Sequence, residues 1–72
     1  MDLWQIDDSL ELGARIRKRR NDLGLTQGEV ADVSQVTLRF VSELERGKAT
    51  AQYAGIQRVL AALGLDLYLK PR

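Results

Sequence analysis

Residues 26–47 read TQGEVADVSQVTLRFVSELERG, and this stretch predicts two short helices joined by a tight turn. Thr26 is followed three residues later by Glu29, which is the sequence signature of a capping box at the start of the first helix. Thr37 is a favourable N-cap residue for a second helix that runs to about Arg46. The stretch therefore predicts a helix-turn-helix unit.

The predicted second helix has two chemically different faces, and Gly47 behind it can take the left-handed conformation that ends a helix. Apolar side chains of both helices can face one interior: Val30, Ala31, Val36, Val41 and Leu44. Four others lie on the opposite side of the second helix: Leu38, Arg39, Ser42 and Glu43. A short exposed helix with apolar, basic and acidic groups has the size and chemistry to read base edges in a DNA major groove.

A longer helix is predicted before this stretch. Asp8 or Ser9 is its N-cap, with Glu11 supporting Asp8 in a capping box. The helix extends to about Leu23, and Gly24 ends it. Its inner stripe, with the small residues that permit close approach of a neighbour, consists of Leu12, Gly13, Ala14, Ile16 and Leu23.

A fourth helix is predicted to begin at Thr50 as its N-cap and to extend to about Leu63, with Gly64 behind it. Its core face follows the spacing i, i+3, i+4, i+7 of an amphipathic helix: Ile56, Val59, Leu60 and Leu63. Gly55 lies inside this helix and weakens it, which indicates the close approach of another backbone.

Residues 65–70 change to a period of two, which predicts a β-strand. One strand cannot stand alone, because its backbone groups need a ladder partner. The favoured partner is the same strand of a second copy, related by a twofold axis, and the competing partner is residues 3–6. The expected dimerisation residues are Leu65, Leu67, Tyr68 and Leu69.

Composition argues against several classes of function. The chain has 72 residues, enough for one domain whose single core is marginal. It has no cysteine and no histidine, which removes disulfides, thiolate metal sites and the commonest general base. We therefore expect no metal, no cofactor and no enzymatic activity. The apolar runs are too short to span a bilayer and no signal-peptide pattern opens the chain, so a cytoplasmic protein without membrane contact is expected.

The net charge of +1 does not by itself indicate a nucleic-acid partner, but its distribution is segregated. Residues 1–11 carry −4, residues 12–20 carry +5, residues 21–45 carry −4 and residues 46–72 carry +4. Blocks of alternating sign can produce a strongly basic face on a nearly neutral molecule. The expected DNA phosphate contacts are Gln27, Thr37, Arg46 and Lys48, with Arg17, Lys18 and Arg19 as weaker candidates.

Each residue of the second helix's outer face has a base-reading chemistry. Arg39 suits a bidentate contact with guanine, and Leu38 suits contact with a thymine methyl group. Glu43 can accept from cytosine N4, or can be a solvated group that repels wrong sites. Ser42 can reach a base or the backbone. Phe40 is expected to pack inside against the fourth helix.

The central stretch resembles the helix-turn-helix of the Cro/C1 (XRE) family. The pattern of that family begins with TQ, two further residues, and a branched aliphatic residue followed by Ala. After the turn come V-S/T and, at the end, I/L-E-R/N-G. The matching residues keep the same spacing: Thr26, Gln27, Glu29, Val30, Ala31, Val36, Thr37, Ser42, Leu44, Glu45, Arg46 and Gly47. The resemblance implies a structural ion pair between Arg20 and Glu45, and the alternative is that Arg20 is another phosphate contact. Two positions depart from the pattern: Gln35 occupies a frequent glycine position, and Arg19 a frequent leucine position.

The ending ALGLDLYLK resembles that of HipB-type antitoxins, whereas ordinary phage-type repressors end with a fifth helix. The resemblance implies a lambda-repressor-like bundle of four helices, with a C-terminal strand that pairs across a homodimer. We expect the chain to be divided into a lead at residues 1–8, a DNA-binding domain at 9–64 and a dimerisation strand at 65–72. The resemblance also implies binding to a palindromic operator of the protein's own operon, and restraint of a HipA-like serine/threonine kinase toxin.

Two other functions stay open. The chain can be a stand-alone or phage-type repressor without a toxin, or a protein-interaction module that uses the helix-turn-helix as a scaffold. The lead also allows two interpretations, because it contains Leu3, Trp4 and Ile6. It can fold back over an exposed part of the core, or it can anchor a partner protein.

Overall fold

The computed structural model describes residues 3–72, so that the first two residues of the predicted lead, Met1 and Asp2, lie outside it. Its helices are α1 (Ser9–Asp22), α2 (Gln27–Ser34), α3 (Leu38–Glu45) and α4 (Tyr53–Ala62). The mainly α, four-helix architecture expected from the sequence is therefore confirmed. None of the helices in this part of the chain combines the length and apolarity that a membrane crossing requires.

The first two helices begin where the sequence predicts. The hydroxyl of Thr26 accepts the N–H of Glu29 at 3.1 Å, and the Glu29 carboxylate accepts the N–H of Thr26 at 2.9 Å, which completes the capping box. Asp8 caps α1 by accepting the N–H of Glu11 at 2.9 Å. Glu11 reaches back to the N–H of Asp7 at 3.0 Å, one residue earlier than the predicted capping box requires.

The prediction for the start of α4 is wrong by two residues. Gln52 is the N-cap, with an extended backbone and without a side-chain capping bond, and Thr50 lies in the preceding turn. The late start reflects Ala51, which packs against the core before the helix begins. Gly55 makes room for a side chain rather than a backbone, since a Cβ there would lie 2.5 Å from Cζ of Phe40. Phe40 thus packs against α4, as predicted.

The core lies between the four helices and contains the apolar residues that the helical periodicity predicts: Ile16, Val30, Ala31, Val41, Leu44, Val59, Leu60 and Leu63. Leu12, Val36 and Ile56 pack half-buried against it. The prediction of Leu23 as a core residue is wrong, because it is the C-cap of α1 and is 44% exposed. Its position beyond the last turn takes its side chain away from the inner stripe.

All four helices end in the same backbone arrangement, the Schellman motif, in which a left-handed residue allows two reversed hydrogen bonds. The left-handed residues are Gly24, Gln35, Gly47 and Gly64. Gln35 has φ 57° and ψ 42°, a conformation that costs a side-chain-bearing residue roughly 1–2 kcal/mol. The turn between α2 and α3 therefore keeps the family's left-handed geometry although its glycine is replaced.

The two ends of the chain have neither helix nor strand within the described residues. In the described part of the lead, Trp4 lies against α1, because the guanidinium of Arg15 is 4.6 Å from the centre of its ring. Within residues 3–72 the single chain forms no β-ladder, so residues 65–70 pair as a strand neither with residues 3–6 nor with another described segment. The C-terminal strand stays a prediction that concerns a second copy.

Candidate nucleic-acid interface

The short helix α3 has inner and outer faces that differ strongly in burial. Thr37 fixes its start, because its hydroxyl accepts the N–H of Phe40 at 3.0 Å. On the inner face Val41 and Leu44 are buried, whereas Leu38 on the outer face is 56% exposed. The face that the sequence predicts for base contacts therefore lies outside the protein core.

A buried ion pair ties the inner end of α3 to α1. Arg20 donates through Nε to Oε2 of Glu45 at 2.7 Å and through Nη2 to Oε1 at 2.9 Å. The two side chains are 11% and 2% exposed. Gly13 permits this approach, since a Cβ there would lie 2.8 Å from the carbonyl oxygen of Glu45. The pair stands in the bidentate geometry that the family resemblance implies, and fixes α3 relative to α1.

Both members of this pair are charged at neutral pH. Burial raises the pKa of Glu45, but hydrogen bonds from Arg20 and Gln27, with the charges of Arg20 and Arg17, outweigh burial and hold that pKa below its ordinary value of 4.5. The hydrogen bond to Glu45 in turn raises the pKa of Arg20. The pair therefore stays intact unless the solution becomes strongly acidic.

Gln27, predicted as a phosphate contact, also joins this buried pair. Its Nε2 donates to Oε1 of Glu45 at 3.1 Å, and the side chain is half-buried. A glutamine amide carries two donor hydrogens. A phosphate contact by Gln27 would therefore use the second hydrogen or the backbone N–H at the start of α2.

The outer face carries a second set of ion pairs, which the sequence did not predict. Nε of Arg39 lies 2.7 Å from Oε1 of Glu43, and Nζ of Lys48 lies 2.6 Å from Oε2. Hydrogen bonds from Lys48 and Arg39 lower the pKa of Glu43. The Schellman motif at Gly47 brings Lys48 back towards α3, where the N–H of Lys48 donates to the carbonyl of Glu43 at 3.1 Å. The sequence does contain a signal for this cluster. It is an acidic residue three positions before the helix C-cap, with glycine and lysine directly after the C-cap.

The remaining predicted DNA contacts lie on α3, at its two ends and on α1. Thr37 and Arg46 flank α3 and are exposed, Ser42 is half-buried on α3, and Arg17 is exposed on α1. Arg17 is also close enough to Glu45 to lower the pKa of that carboxyl. Polar groups thus lie at both ends of α3 and on the neighbouring helix.

Arg19, a weaker phosphate candidate, makes a structural contact within the chain. Its Nε donates to the carbonyl oxygen of Leu63 at 2.9 Å and so connects α1 to the end of α4. A cation near a helix C-terminus interacts favourably with the helix dipole. This explains the departure from leucine at position 19, where a polar group holds the two helices together.

The predicted dimerisation segment is largely exposed in the single chain. Leu65 packs against the core, and its N–H donates to the carbonyl of Leu60 at 2.9 Å. Leu67, Tyr68 and Leu69 are 47%, 60% and 95% exposed. Adjacent large apolar side chains on a surface are a common mark of an interaction site.

A model of the helix-turn-helix domain family matches residues 11–70, and the chain belongs to this family. A relative in Sinorhizobium fredii, described as the uncharacterized HTH-type transcriptional regulator y4mF, is 40% identical over 63 residues. The match covers 88% of this chain and 83% of the relative.

The fold is also that of HipB. The chain superposes on the protein of a HipB–O2 20mer complex with a TM-score of 0.89, at 20% identity and over 97% of both chains. A chain of the HipA-HipB-O2-O3 complex gives a TM-score of 0.88 at 20% identity, over 96% of this chain and 97% of that one. The HipB-like helix-turn-helix architecture predicted from the sequence is thereby confirmed.

Proposed function

We propose that this protein is a sequence-specific DNA-binding antitoxin that represses its own HipBA-type operon. The observation that carries the proposal is the outer face of α3, where Leu38, Arg39 and Glu43 lie outside the core. These side chains offer an apolar contact for thymine, donors for guanine and an acceptor for cytosine. The buried pair of Arg20 and Glu45 holds that face at a fixed angle to α1.

Phosphate contacts come from the residues around α3. Thr37 and Gln27 lie at helix starts, where backbone N–H groups and the helix dipole attract anions. Arg46 and Lys48 follow α3, and Arg17 extends the basic surface along α1. Such contacts orient a protein on the duplex, while base-edge contacts supply the sequence preference.

A homodimer supplies the second reading helix that specificity requires. Leu67, Tyr68 and Leu69 support it, because pairing of residues 65–70 with the same segment of a second copy would cover these exposed side chains. A twofold axis would place the two copies of α3 in successive major grooves, about 34 Å apart. A palindromic operator follows from that symmetry.

The kinase partner is supported by the likeness to the HipB chain of the HipA-HipB-O2-O3 complex. A HipA-like serine/threonine kinase toxin, encoded beside this protein, is the proposed target of its restraint. The second candidate is a stand-alone XRE-type repressor. It is favoured by the description of the Sinorhizobium fredii relative, which names a transcriptional regulator and no toxin.

Co-expression with the adjacent reading frame tests both parts of the proposal. A toxin partner should copurify with this protein, and the complex should protect a palindromic segment upstream of its own gene in a footprinting assay. Protection without copurification would favour the stand-alone repressor. Copurification without protection at moderate salt would favour a protein-interaction module and contradict the DNA-binding function.

A further inference from the structure

Three charged residues with separately predicted roles form one cluster beside α3. The Glu43 carboxylate has a cation at each oxygen, Nε of Arg39 at 2.7 Å and Nζ of Lys48 at 2.6 Å. The Arg39 and Lys48 side chains are 86% and 46% exposed, and that of Glu43 is 21% exposed. In the free protein the two cations that are expected to contact DNA are therefore partly neutralised by their own chain.

The backbone fixes this cluster. Arg39 precedes Glu43 by four residues on α3, a spacing at which side chains meet on one helix face. Lys48 is held next to Glu43 by the bond from its N–H to the Glu43 carbonyl at 3.1 Å. The loop is held from the other side by Ser9, whose hydroxyl donates to the carbonyl of Gly47 at 2.8 Å. The proximity of the three charges thus follows from the fold.

Because the fold keeps this carboxylate between the two cations, we propose that Glu43 determines specificity by weakening the binding of arbitrary DNA more than that of the operator. This inference rests on the proposed DNA-binding function. Glu43 competes with phosphates for Arg39 and Lys48 whenever the protein meets a duplex that offers no matching base.

Nonspecific binding depends on the number of phosphates that cations neutralise, so a carboxylate between two cations reduces it directly. Exposed ion pairs are individually weak, and the cluster can open when better partners are present. A G·C pair offers them, because guanine O6 and N7 accept while cytosine N4 donates in the same groove. Arg39 and Glu43 would then both find partners, which offsets the repulsion between Glu43 and the phosphates.

Glu43→Gln removes the charge while keeping the shape of the side chain. Its affinity is measured at several salt concentrations for two duplexes, a footprinted fragment from upstream of the gene and the same fragment with scrambled sequence. We expect roughly tenfold tighter binding to the scrambled duplex near 0.1 M salt, with a salt slope steeper by about 1. Affinity for the upstream fragment should rise less or fall.

Asp32→Asn is the matched control, because it changes the net charge equally and Asp32 makes no ion pair within the described residues. It should leave the ratio of the two affinities unchanged. In a Lys48→Ala background the gain from Glu43→Gln on the scrambled duplex should shrink, since one released cation is missing. Circular dichroism melting should show that all variants remain folded.

The inference is wrong if Glu43→Gln leaves the affinity ratio at the wild-type value, or if Asp32→Asn lowers that ratio as much. In either case the wild-type preference for the upstream fragment would leave the proposed DNA-binding function intact. If the wild-type protein binds both duplexes equally, the proposed function itself fails, and the role of Glu43 with it.

Discussion

Among the described residues, two arginine–glutamate pairs have the same Nε to carboxylate-oxygen distance of 2.7 Å, yet one is buried and the other is exposed. Arg20 and Glu45 lie between α1 and α3, with side chains 11% and 2% exposed. Arg39 and Glu43 lie on the outside of α3, with side chains 86% and 21% exposed. Equal distances therefore say little about what either pair contributes.

Burial decides the contribution of each pair. When one member of a buried pair is removed, the other is left as an uncompensated charge in a poorly solvated site. When one member of an exposed pair is removed, water and salt take its place at little cost. The inner pair is therefore expected to act on folding, and the outer pair on what α3 binds.

Glu45→Ala should cost about 3–5 kcal/mol of unfolding free energy, because Arg20 would remain buried without its partner. The change is measured as a shift of the urea midpoint. Asp22→Ala is the control, because it breaks the exposed pair with Lys18 and should cost less than about 1 kcal/mol. Replacement of both partners, as Arg20→Met with Glu45→Leu, should recover most of the loss. Equal destabilisation by Glu45→Ala and Asp22→Ala would contradict the contrast between buried and exposed pairs.

Acid should weaken the inner pair without mutation. The pKa of Glu45 in the folded protein lies below its ordinary value of 4.5, so the unfolded chain binds the proton first as the pH falls. The contribution of Glu45 to stability is complete above this ordinary value and is lost as the pH falls through the folded pKa. Urea midpoints between pH 7 and pH 3 should fall more in the wild type than in the double variant. Parallel curves would refute a stabilising role for the Glu45 charge.

Gly13→Ala should cost about 1–3 kcal/mol, because the new Cβ would meet the backbone of Leu44 and Glu45 and push α1 away from α3. Gly28→Ala is the matched control. The nearest atom to a Cβ there is the Thr26 hydroxyl at 3.9 Å, and alanine in a helix should stabilise by up to about 1 kcal/mol. Thermal melts of the two variants should therefore move in opposite directions, and similar shifts would argue against a tight contact between α1 and α3.

Gln35→Gly should stabilise the protein by about 1 kcal/mol, since glycine takes the left-handed conformation of this turn without strain. The same replacement at Gln57, exposed within α4, should cost about 1 kcal/mol. Urea midpoints that move in the same direction would show that the turn is not strained. Neither glutamine takes part in an ion pair among the described residues, so the shifts in urea midpoint report backbone conformation and not charge.

Arg39→Ala should leave the urea midpoint unchanged, because its guanidinium is 86% exposed and Glu43 keeps Lys48 as a partner. Lys18→Ala, which removes a comparably exposed cation from α1, is the control and should behave alike. A destabilisation by Arg39→Ala that approaches that of Glu45→Ala would mean that the outer pair also holds the fold together.

Local rules predicted the centre of the molecule well. Thr26 and Thr37 indicate where α2 and α3 begin, because capping requires particular side chains at fixed spacing. Apolar periodicity identifies the buried face of each helix. Local rules do not predict the start of α4, because Ala51 packs against the core before the helix begins and Thr50 lies in the preceding turn. The backbone conformation of Gln35 could not be predicted from sequence. The free-energy cost of a side chain in the left-handed conformation is smaller than the stabilisation that the rest of the fold provides.

Contacts between distant segments were less accessible to sequence reasoning. The partnership of Arg20 and Glu45 came from the family resemblance, since nothing in their spacing relates residues on different helices. Sequence reasoning places Arg19 only in a basic cluster, because it cannot identify a partner that is a backbone carbonyl 44 residues away. Lys48 and Glu43 were assigned separate roles because only the Schellman motif at Gly47 brings them together.

The central claim is that the outer face of α3 reads DNA. The most direct test is to select binding sites from a random duplex pool with the wild-type protein and with Arg39→Ala in parallel. The wild type should enrich an inverted repeat whose half-sites lie about one helical turn apart. Arg39→Ala should lose the preference for one base pair in each half-site, equivalent to about 1–3 kcal/mol of discrimination. Enrichment of the same motif at the same strength by both proteins, or of no motif by the wild type, would contradict this assignment.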